Sequence, residues 1–325
     1  DDKALKEVIH YIHDEKGVVF VAAAGNETED VGNEGYDGFS PANIRDVITV
    51  SAFDHNDKIA PFSNFGLKVD IAAPGGGDFA KGTNKNPYPN LYSILSLANS
   101  KAFGYIGLRS FVIAPDNANP ASCSYGAVRC YLRIAGTSMA APYVSGVAAL
   151  ILSQHPEFSP EQVRQAIRLG SNDVDIKGFD FNSGYGRINA YGSLLQTAPL
   201  AAQLTWPSVG TISGSKPLRI YGTASGPNFK NWRLEYGSGK TPAVWTSIKS
   251  SDNPVTEGLL KESEDFMNLS EGYYILRLVA ENISGQKFED RVRLVIDKEF
   301  IDPIHPTQPF GDINASPNRC EINPP

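Results

Sequence analysis

The stretch Gly136-Thr137-Ser138-Met139-Ala140-Ala141-Pro142 leads into an apolar run, residues 144–152. Apolar residues recur here at helical spacing and predict a helix with one buried face: Ala140, Val144, Val147, Ala148 and Ile151. Ser138 would lie in the first turn, at the positive end of the helix dipole, where developing negative charge is stabilised. This pattern suits a displayed serine nucleophile, and it equally suits a Gly-Thr-Ser turn that only caps a buried helix.

A second apolar stretch covers residues 18–27 and reads Val-Val-Phe-Val-Ala-Ala-Ala-Gly-Asn-Glu. An uninterrupted apolar run of this length predicts a strand buried on both faces, as in the parallel sheet of an α/β protein. Asn26 follows the strand at its C-terminal end, where open α/β sheets bind their ligands. Its side-chain amide could donate a hydrogen bond to an oxyanion while Ser138 attacks a carbonyl group.

Three further segments complete a pattern: Val-Ile-Thr-Val-Ser-Ala-Phe-Asp at 47–54, Phe-Ser-Asn-Phe-Gly at 62–66 and Val-Asp-Ile-Ala-Ala-Pro-Gly at 69–75. In order, spacing and residue type, these motifs and the two stretches above resemble the subtilisin-like serine proteases, the subtilases. The resemblance implies an α/β domain with a parallel sheet that hydrolyses peptide bonds of polypeptide substrates. It makes Ser138 the nucleophile of an acyl-enzyme mechanism and places Asn26 in the oxyanion hole, with no cofactor required for the chemistry.

The resemblance to subtilases also shows which catalytic motifs are missing from this sequence. Subtilases carry their catalytic groups in the order aspartate, histidine, asparagine, serine. The residues before Asn26 hold neither an Asp-Thr/Ser-Gly nor a His-Gly-Thr-His motif. We therefore expect an N-terminally incomplete catalytic domain whose aspartate and histidine lie upstream, and little or no activity from this chain alone. A catalytically dead subtilase scaffold used for binding is the alternative.

Residues 3–15 predict an amphipathic helix, with its apolar face formed by Leu5, Val8, Ile9 and Ile12. His10 and His13 lie on this helix, and we expect surface or packing roles for both. A metal site would need more ligands at a recognisable spacing. Neither histidine replaces the missing base, because the resemblance places that base on a different helix.

Residues 40–42, Ser-Pro-Ala, resemble the family's Tyr-Pro-Ala segment beside the specificity pocket. The resemblance then implies that Ala23, Ala24 and Gly25 form the walls of this pocket, with Phe39 near its base. Small walls admit an extended substrate and a bulky apolar side chain. Phe39 could instead shorten the pocket.

Cys123 and Cys130 lie shortly before the Ser138 stretch. A disulfide explains the pair better than zinc, because a zinc site needs four ligands and only two are present. Disulfides form in oxidising compartments, which agrees with an extracellular, bacterial-type secreted protease. The pairing of Cys320 stays open.

Asn64, Asp70, Asp78 and Asn84 suggest a calcium hypothesis, since related enzymes bind calcium in loops. Their spacing does not match a single calcium-binding loop. Turn and capping roles explain Asn and Asp residues equally well. Structural calcium is therefore possible, but no metal ligand is assigned.

The chain has a net charge of −7 and a pI near 5.3, which argues against a nucleic-acid partner. No run of eighteen apolar residues is present, so we expect no membrane span. We assign the protease domain to residues 1–197, a linker to 198–203 and a β-sandwich module to 204–297. A Pro-rich linker or tail would occupy 298–325.

Residues 204–297 contain several short alternating runs separated by turn residues, which is typical of a β-sandwich. They resemble, more distantly, the immunoglobulin-like modules of secreted bacterial enzymes. Trp206, Trp232 and Trp245 could form a sugar-binding platform, although packing in a small sandwich is the simpler role. A third functional alternative is therefore adhesion or carbohydrate binding through this module.

Overall fold

The computed structural model describes residues 3–32, 39–77, 93–97, 112–113, 131–207, 210–213 and 217–298. The chain divides into two compact units, Asp1–Pro199 and Leu200–Pro325. The first unit contains four helices and six strands among these residues: α1 Lys3–Lys16, β1 Phe20–Ala23, β2 Val47–Phe53, β3 Ile71–Pro74, β4 Ile94–Leu97, β5 Val112–Ile113, β6 Tyr131–Ile134, α2 Thr137–Gln154, α3 Pro160–Gly170 and α4 Ala190–Leu194.

A parallel sheet of order β1-β2-β3 forms the centre of the first unit. Every residue of β2 is buried, including the polar Thr49 and Ser51, so both faces of this strand are covered. β1 differs from the prediction, because most of its residues are only half-buried and Val18 just before it is 40% exposed. The reason is its place at the edge of the described sheet, where β2 covers one side only.

Helix α2 packs on this sheet through the face that the sequence predicts. Its five predicted apolar residues are all buried, and they share a core with side chains of β2 and β3 such as Ile48, Val50 and Ile71. The opposite face of α2 is also apolar, yet Tyr143 is 45% exposed and Leu150 is 49% exposed. Within the described residues, α2 is therefore covered on one side only.

Helix α1 corrects one sequence prediction. Ile9 and His13 are its buried residues, at 4% and 5% exposure, whereas Leu5 and Val8 are 41% and 53% exposed. Ile9 packs into a small core with β1 and the segment before β2. The apolar face predicted from the sequence is wider than the surface available to cover it.

Helix α3 begins as its sequence predicts. The Ser159 hydroxyl accepts a hydrogen bond from the Gln162 N–H, and the Gln162 side chain accepts one from the Ser159 N–H. With Pro160 in the first turn, this capping box fixes the start of the helix. A smaller antiparallel sheet, of order β4-β6-β5, precedes α2 in the chain.

The second unit consists of two sheets around one hydrophobic core. The strands are β7 Ala201–Trp206, β8 Gly210–Ser213, β9 Leu218–Ser225, β10 Phe229–Ser238, β11 Thr246–Ser251, β12 Val255–Ser263, β13 Gly272–Asn282 and β14 Lys287–Asp297. They form a five-stranded sheet, β11-β10-β13-β14-β8, and a three-stranded sheet, β12-β9-β7. Buried side chains of both sheets, such as Leu204, Ile220, Leu234 and Leu276, make the core.

The boundary between the units differs slightly from the prediction. The linker predicted at 198–203 overlaps β7, which begins at Ala201 and pairs with β9. Ala202 and Leu204 alternate with more polar residues along this strand, and both side chains are fully buried. The second unit therefore begins at Leu200.

Candidate active site

Ser138 lies in the first turn of α2, and it is solvent-exposed. The preceding Gly136 has φ 155° and ψ 158°, a backbone conformation that only glycine adopts readily. Its N–H donates to the carbonyl of Gly75 at 2.8 Å, just after the end of β3. The serine is thus displayed by a tight turn that is anchored to the C-terminal edge of the parallel sheet.

The first turn of any helix leaves backbone N–H groups without intrahelical acceptors. In α2, the Gly136 N–H bonds Gly75, the Thr137 N–H bonds the Asn26 Oδ1 at 2.9 Å, and the Met139 N–H bonds the Gly136 carbonyl at 2.9 Å. Across the described part of the chain, the Ser138 N–H has no such acceptor. It is a free donor directly beside the serine hydroxyl.

Asn26 follows β1 at the same edge of the sheet and is also exposed. Its Oδ1 accepts from the Thr137 N–H, and the Thr137 hydroxyl lies 3.1 Å from the same atom. That hydroxyl also accepts from the Gly25 N–H at 3.2 Å. With Oδ1 held by Thr137, the Nδ2 group has no acceptor within the described ranges. Two N–H donors, from Asn26 and Ser138, are therefore free to bind an oxyanion.

The loop that carries Asn26 is held by Asn64, a fully buried residue of the segment before β3. The Asn64 Oδ1 accepts from the N–H groups of Glu27 and Glu29, both at 2.9 Å. Its Nδ2 donates to the Ala24 carbonyl at 3.0 Å and to the Glu27 carboxylate at 2.8 Å. The same Glu27 oxygen accepts from the Asn26 N–H at 2.7 Å.

The sequence points to Ser138 and Asn26, but it indicates no active-site role for Thr137, Asn64 or Glu27. Thr137 and Asn64 both lie within the subtilase-like motifs, and Asn64 is otherwise only a calcium candidate. Their hydrogen bonds join residues far apart in the chain, so no local spacing reveals them. Their residue types alone indicate hydrogen-bond partners, because a polar side chain inside an apolar motif needs a partner when it is buried.

The predicted pocket residues divide into two groups. Ala24 and Phe39 are buried, at 1% and 9% exposure, and belong to the same small hydrophobic core. Ala23 and Gly25 are half-buried. Phe39 packs in this core, as a residue at the base of a pocket would. The pocket itself stays a prediction.

The histidines of α1 lie away from Ser138. His10 is hydrogen-bonded to Asp46, which directly precedes β2, whereas Asn26 and the Gly75 anchor follow the C-terminal ends of their strands. Because the strands are parallel, His10 and Asp46 lie at the N-terminal ends of the strands, whereas Asn26 and Gly75 lie at the C-terminal ends. His155 ends α2, roughly 25 Å along the helix from Ser138 at about 1.5 Å per residue. His55, in the turn after β2, lies at the same edge as Asn26.

His10, Asp14 and Asp46 form the one cluster with metal-like spacing among the described residues. A guanidinium already occupies this cluster, since Arg45 contacts His10 Nδ1 at 2.7 Å and Asp46 Oδ1 at 2.8 Å. The hydrogen bond to Asp46 raises the pKa of His10, against burial and the Arg45 charge. Cationic neighbours make this cluster an ion-pair network, and it does not favour a metal ion.

Asp70 is fully buried and surrounded by positive charge. Arg168 Nε donates to Oδ1 at 3.0 Å, the Thr49 N–H donates to Oδ2 at 2.7 Å, and the Lys68 ammonium lies 3.6 Å away. Burial acts to raise the pKa of Asp70, but Lys68, Arg168 and Arg164 lower it well below the usual range. Asp70 therefore joins β3 to α3, and its oxygens are committed to protein donors.

Among the described residues, the other calcium candidate is Asn64, and it offers no free ligand atom. Asn64 uses all its side-chain hydrogen-bonding positions on the protein. Asp78 and Asn84 lie outside the described residues, as do Cys123, Cys130 and Cys320. The disulfide therefore stays a prediction from the sequence.

The three tryptophans do not form a common platform. Trp232 is 1% exposed in the core of the second unit, where its Nε1 donates to the Asn253 carbonyl at 2.9 Å. Trp245 stacks on the Arg277 guanidinium, with 3.7 Å between the guanidinium carbon and the ring centroid. The packing role is therefore correct for Trp232, and this removes the simplest basis for sugar binding.

An exposed serine at a helix N-terminus, beside two free N–H donors at the C-terminal edge of a parallel sheet, is typical of α/β serine hydrolases. A sequence profile of the subtilase family, peptidase family S8, matches residues 1–186. The match covers more than half of the chain, and the chain belongs to the subtilase family.

Individual relatives agree with this assignment. The thermophilic serine proteinase of Bacillus sp. (strain AK1) is 31% identical over 58% of this chain and 34% of its own length. A calcium-dependent protease of Trichormus variabilis is 32% identical over 54% of this chain and 24% of its own length. The halolysin-like extracellular serine protease Nep of Natrialba magadii is 32% identical over 54% and 23%. The chain thus spans about a quarter to a third of these relatives.

No helix among the described residues combines the length and apolarity needed to cross a bilayer.

Proposed function

We propose that this chain is the nucleophile-bearing part of a serine endopeptidase. Ser138 attacks the carbonyl carbon of a peptide bond, and Asn26 Nδ2 with the Ser138 N–H binds the resulting oxyanion. The observation that carries the proposal is the pair of free N–H donors beside an exposed serine in a subtilase domain. Polypeptides are the proposed substrates.

The reaction follows the acyl-enzyme course. A base takes the proton of the Ser138 hydroxyl as its Oγ bonds to the carbonyl carbon, and the carbonyl oxygen becomes the oxyanion. The C–N bond then breaks, and the amine leaves with the proton that the base held. The base then takes a proton from water as the water oxygen attacks the acyl-serine ester. The bond between the acyl carbon and Ser138 Oγ breaks, the base returns that proton to Oγ, and the carboxylic acid product leaves. Both donors act on the charge that develops in the transition state, so they contribute to kcat.

We propose that the base and its orienting aspartate lie outside these 325 residues. The absence of both sequence motifs and the position of the α1 histidines support this view. Within the described residues, the apolar face of α2 with Tyr143 and Leu150 is uncovered and β1 is half-buried, and together they provide a surface for such a segment. Without a base, a serine hydroxyl is a weak nucleophile at neutral pH.

The test compares two proteins. The first is the protein that contains this chain as the cell makes it, which we call the natural product, and the second is residues 1–325 alone. Internally quenched peptides measure turnover, and mass spectrometry of the fragments identifies internal cleavage. We expect hydrolysis by the natural product, its loss in Ser138→Ala, and little or none from residues 1–325. Asn26→Ala should lower kcat by about 10²–10³-fold, the magnitude measured for one oxyanion donor in this family.

Three outcomes contradict parts of the proposal. Hydrolysis that survives Ser138→Ala places the nucleophile elsewhere. A natural product without any turnover favours the binding scaffold. Hydrolysis by residues 1–325 alone that disappears in His55→Ala shows that the base is internal.

Calcium and secretion are secondary proposals. One relative is called a calcium-dependent protease and another an extracellular serine protease. We extend both properties to this protein, as a structural calcium ion at an unassigned site and an extracellular location. Loss of thermal stability on chelation, restored by added calcium, tests the first. Detection of the protein outside the cells that produce it tests the second.

A further inference from the structure

The side chain of Asn64 has all its hydrogen bonds within one short loop. Its two acceptor positions take the N–H groups of Glu27 and Glu29, and its two donors bond Ala24 and the Glu27 carboxylate. An amide has four such positions in total, so none remains for another role. The Asn64 backbone N–H donates to the Gly25 carbonyl at 3.0 Å as well. All these partners lie within residues 24–29, around Asn26.

We infer that Asn64 is a positioning residue for the oxyanion donor Asn26, an inference that rests on the proposed function. Asn64 holds the Glu27 carboxylate, and the same carboxylate oxygen binds the Asn26 N–H. Asn64 therefore fixes the backbone of Asn26, whereas Thr137 fixes its side-chain oxygen. With both ends held, the Nδ2 group has one direction in which to donate.

The packing around Gly25 agrees with this role. A Cβ atom on Gly25 would lie 2.3 Å from the Asn64 Nδ2 and 2.6 Å from the Glu27 carboxylate oxygen. The residue also has φ 107°, a conformation that disfavours side chains. The Asn64–Glu27 hydrogen bond thus closes directly over the turn that leads to Asn26.

The inference predicts a charge-dependent rescue. Asn64→Asp keeps both acceptors for the Glu27 and Glu29 N–H groups, but it loses the donor to the Ala24 carbonyl and places a carboxylate against the Glu27 carboxylate. In the double variant Asn64→Asp with Glu27→Gln, the new Gln amide can donate to Asp while its oxygen still accepts from the Asn26 N–H. We expect kcat of the natural product to fall by up to about 100-fold in the single variant, because a small misplacement of the oxyanion donor weakens transition-state stabilisation. The double variant should recover a large part of that loss, with KM little changed in both.

Asn282→Asp is the matched control. Asn282 is likewise buried, at 2% exposure, and its amide closes the turn between β13 and β14 in the second unit. The Asn282→Asp variant should be less stable than the parent, with an unchanged kcat per titrated active site. If Asn64 were only structural, its variants would lower the melting temperature and the active fraction in the same way. Unchanged kcat per active site in Asn64→Asp, or no rescue by Glu27→Gln, overturns the inference.

A second measurement needs no activity and separates this inference from the proposed function. Amide hydrogen exchange by NMR on residues 1–325 follows the N–H groups of Asn26, Glu27 and Glu29. Asn64→Ala should accelerate exchange at all three by about tenfold or more. The Val31 N–H, which bonds the Phe65 carbonyl at 2.8 Å, should stay protected. Unchanged exchange at Asn26 overturns the inference even if the natural product lacks Ser138-dependent hydrolysis.

Discussion

The side-chain oxygen of Asn26 accepts a hydrogen bond from the backbone N–H of Thr137 at 2.9 Å. This contact joins the C-terminal end of β1 to the first turn of α2, 111 residues later in the chain. It uses one of the unpaired N–H groups of the helix and leaves that of Ser138 free. A single hydrogen bond therefore places the amide donor beside the nucleophile.

The Thr137 hydroxyl is the first target for mutation. Thr137→Val keeps the size of the side chain but removes the acceptor of the Gly25 N–H and a donor close to Asn26 Oδ1. Because a net hydrogen bond contributes about 0.5–1.5 kcal/mol, we expect kcat of the natural product to fall up to about tenfold. KM should change little. Steady-state kinetics with Thr137→Ser as control, which retains the hydroxyl, checks this, and equal effects of the two variants would contradict it.

Asp70 should make the first unit sensitive to acid. Its folded-state pKa lies below the unfolded value of about 3.9, so its stabilising contribution is complete above that value and is lost as pH falls further. Asp70→Asn should destabilise the neutral protein by about 3–5 kcal/mol, because Arg168 then lacks its buried carboxylate. The variant should also lose less stability than the parent between pH 5 and pH 3.

Urea titrations at a series of pH values test this, with hydrogen exchange of residues 47–53 reporting on the first unit. The Thr49 N–H bonds Asp70 directly at 2.7 Å and gives the most local signal. Identical pH dependence in the parent and the variant would show that Asp70 is not responsible.

The predicted Cys123–Cys130 disulfide can be tested chemically. Alkylation of the denatured, unreduced protein should leave these two residues unmodified and linked to each other. A disulfide closing so short a loop contributes about 2–3 kcal/mol, so reduction should lower the thermal stability by a measurable amount. Peptide mapping that finds both cysteines alkylated would contradict the predicted disulfide.

The sequence predicts the parts of the fold that depend on local patterns. The helical spacing from Ala140 to Ile151 identifies the buried face of α2. The capping box at Ser159 fixes the start of α3. In each case the side chains that carry the signal are the ones that the local structure buries or bonds.

The parts that could not be predicted depend on distant contacts. The sequence of α1 shows an apolar face but not what covers it, so the exposure of Leu5 and Val8 on that face could not be predicted. The ion-pair network of His10 with Arg45 and Asp46 joins residues 35 or more positions apart. The bonds of Asn64 to the Asn26 loop have the same long-range character.

The most direct test of Ser138 as a nucleophile with an external base is covalent labelling with a fluorophosphonate, followed by mass spectrometric location of the adduct. The probe reacts with a serine that a base activates and an oxyanion hole supports. We predict rapid modification of Ser138 in the natural product, much slower modification in Asn26→Ala, and negligible modification of residues 1–325 alone. Equal labelling of Ser138 in the natural product and in residues 1–325 would contradict an external base. No labelling of Ser138 in the natural product would contradict the assignment of the nucleophile.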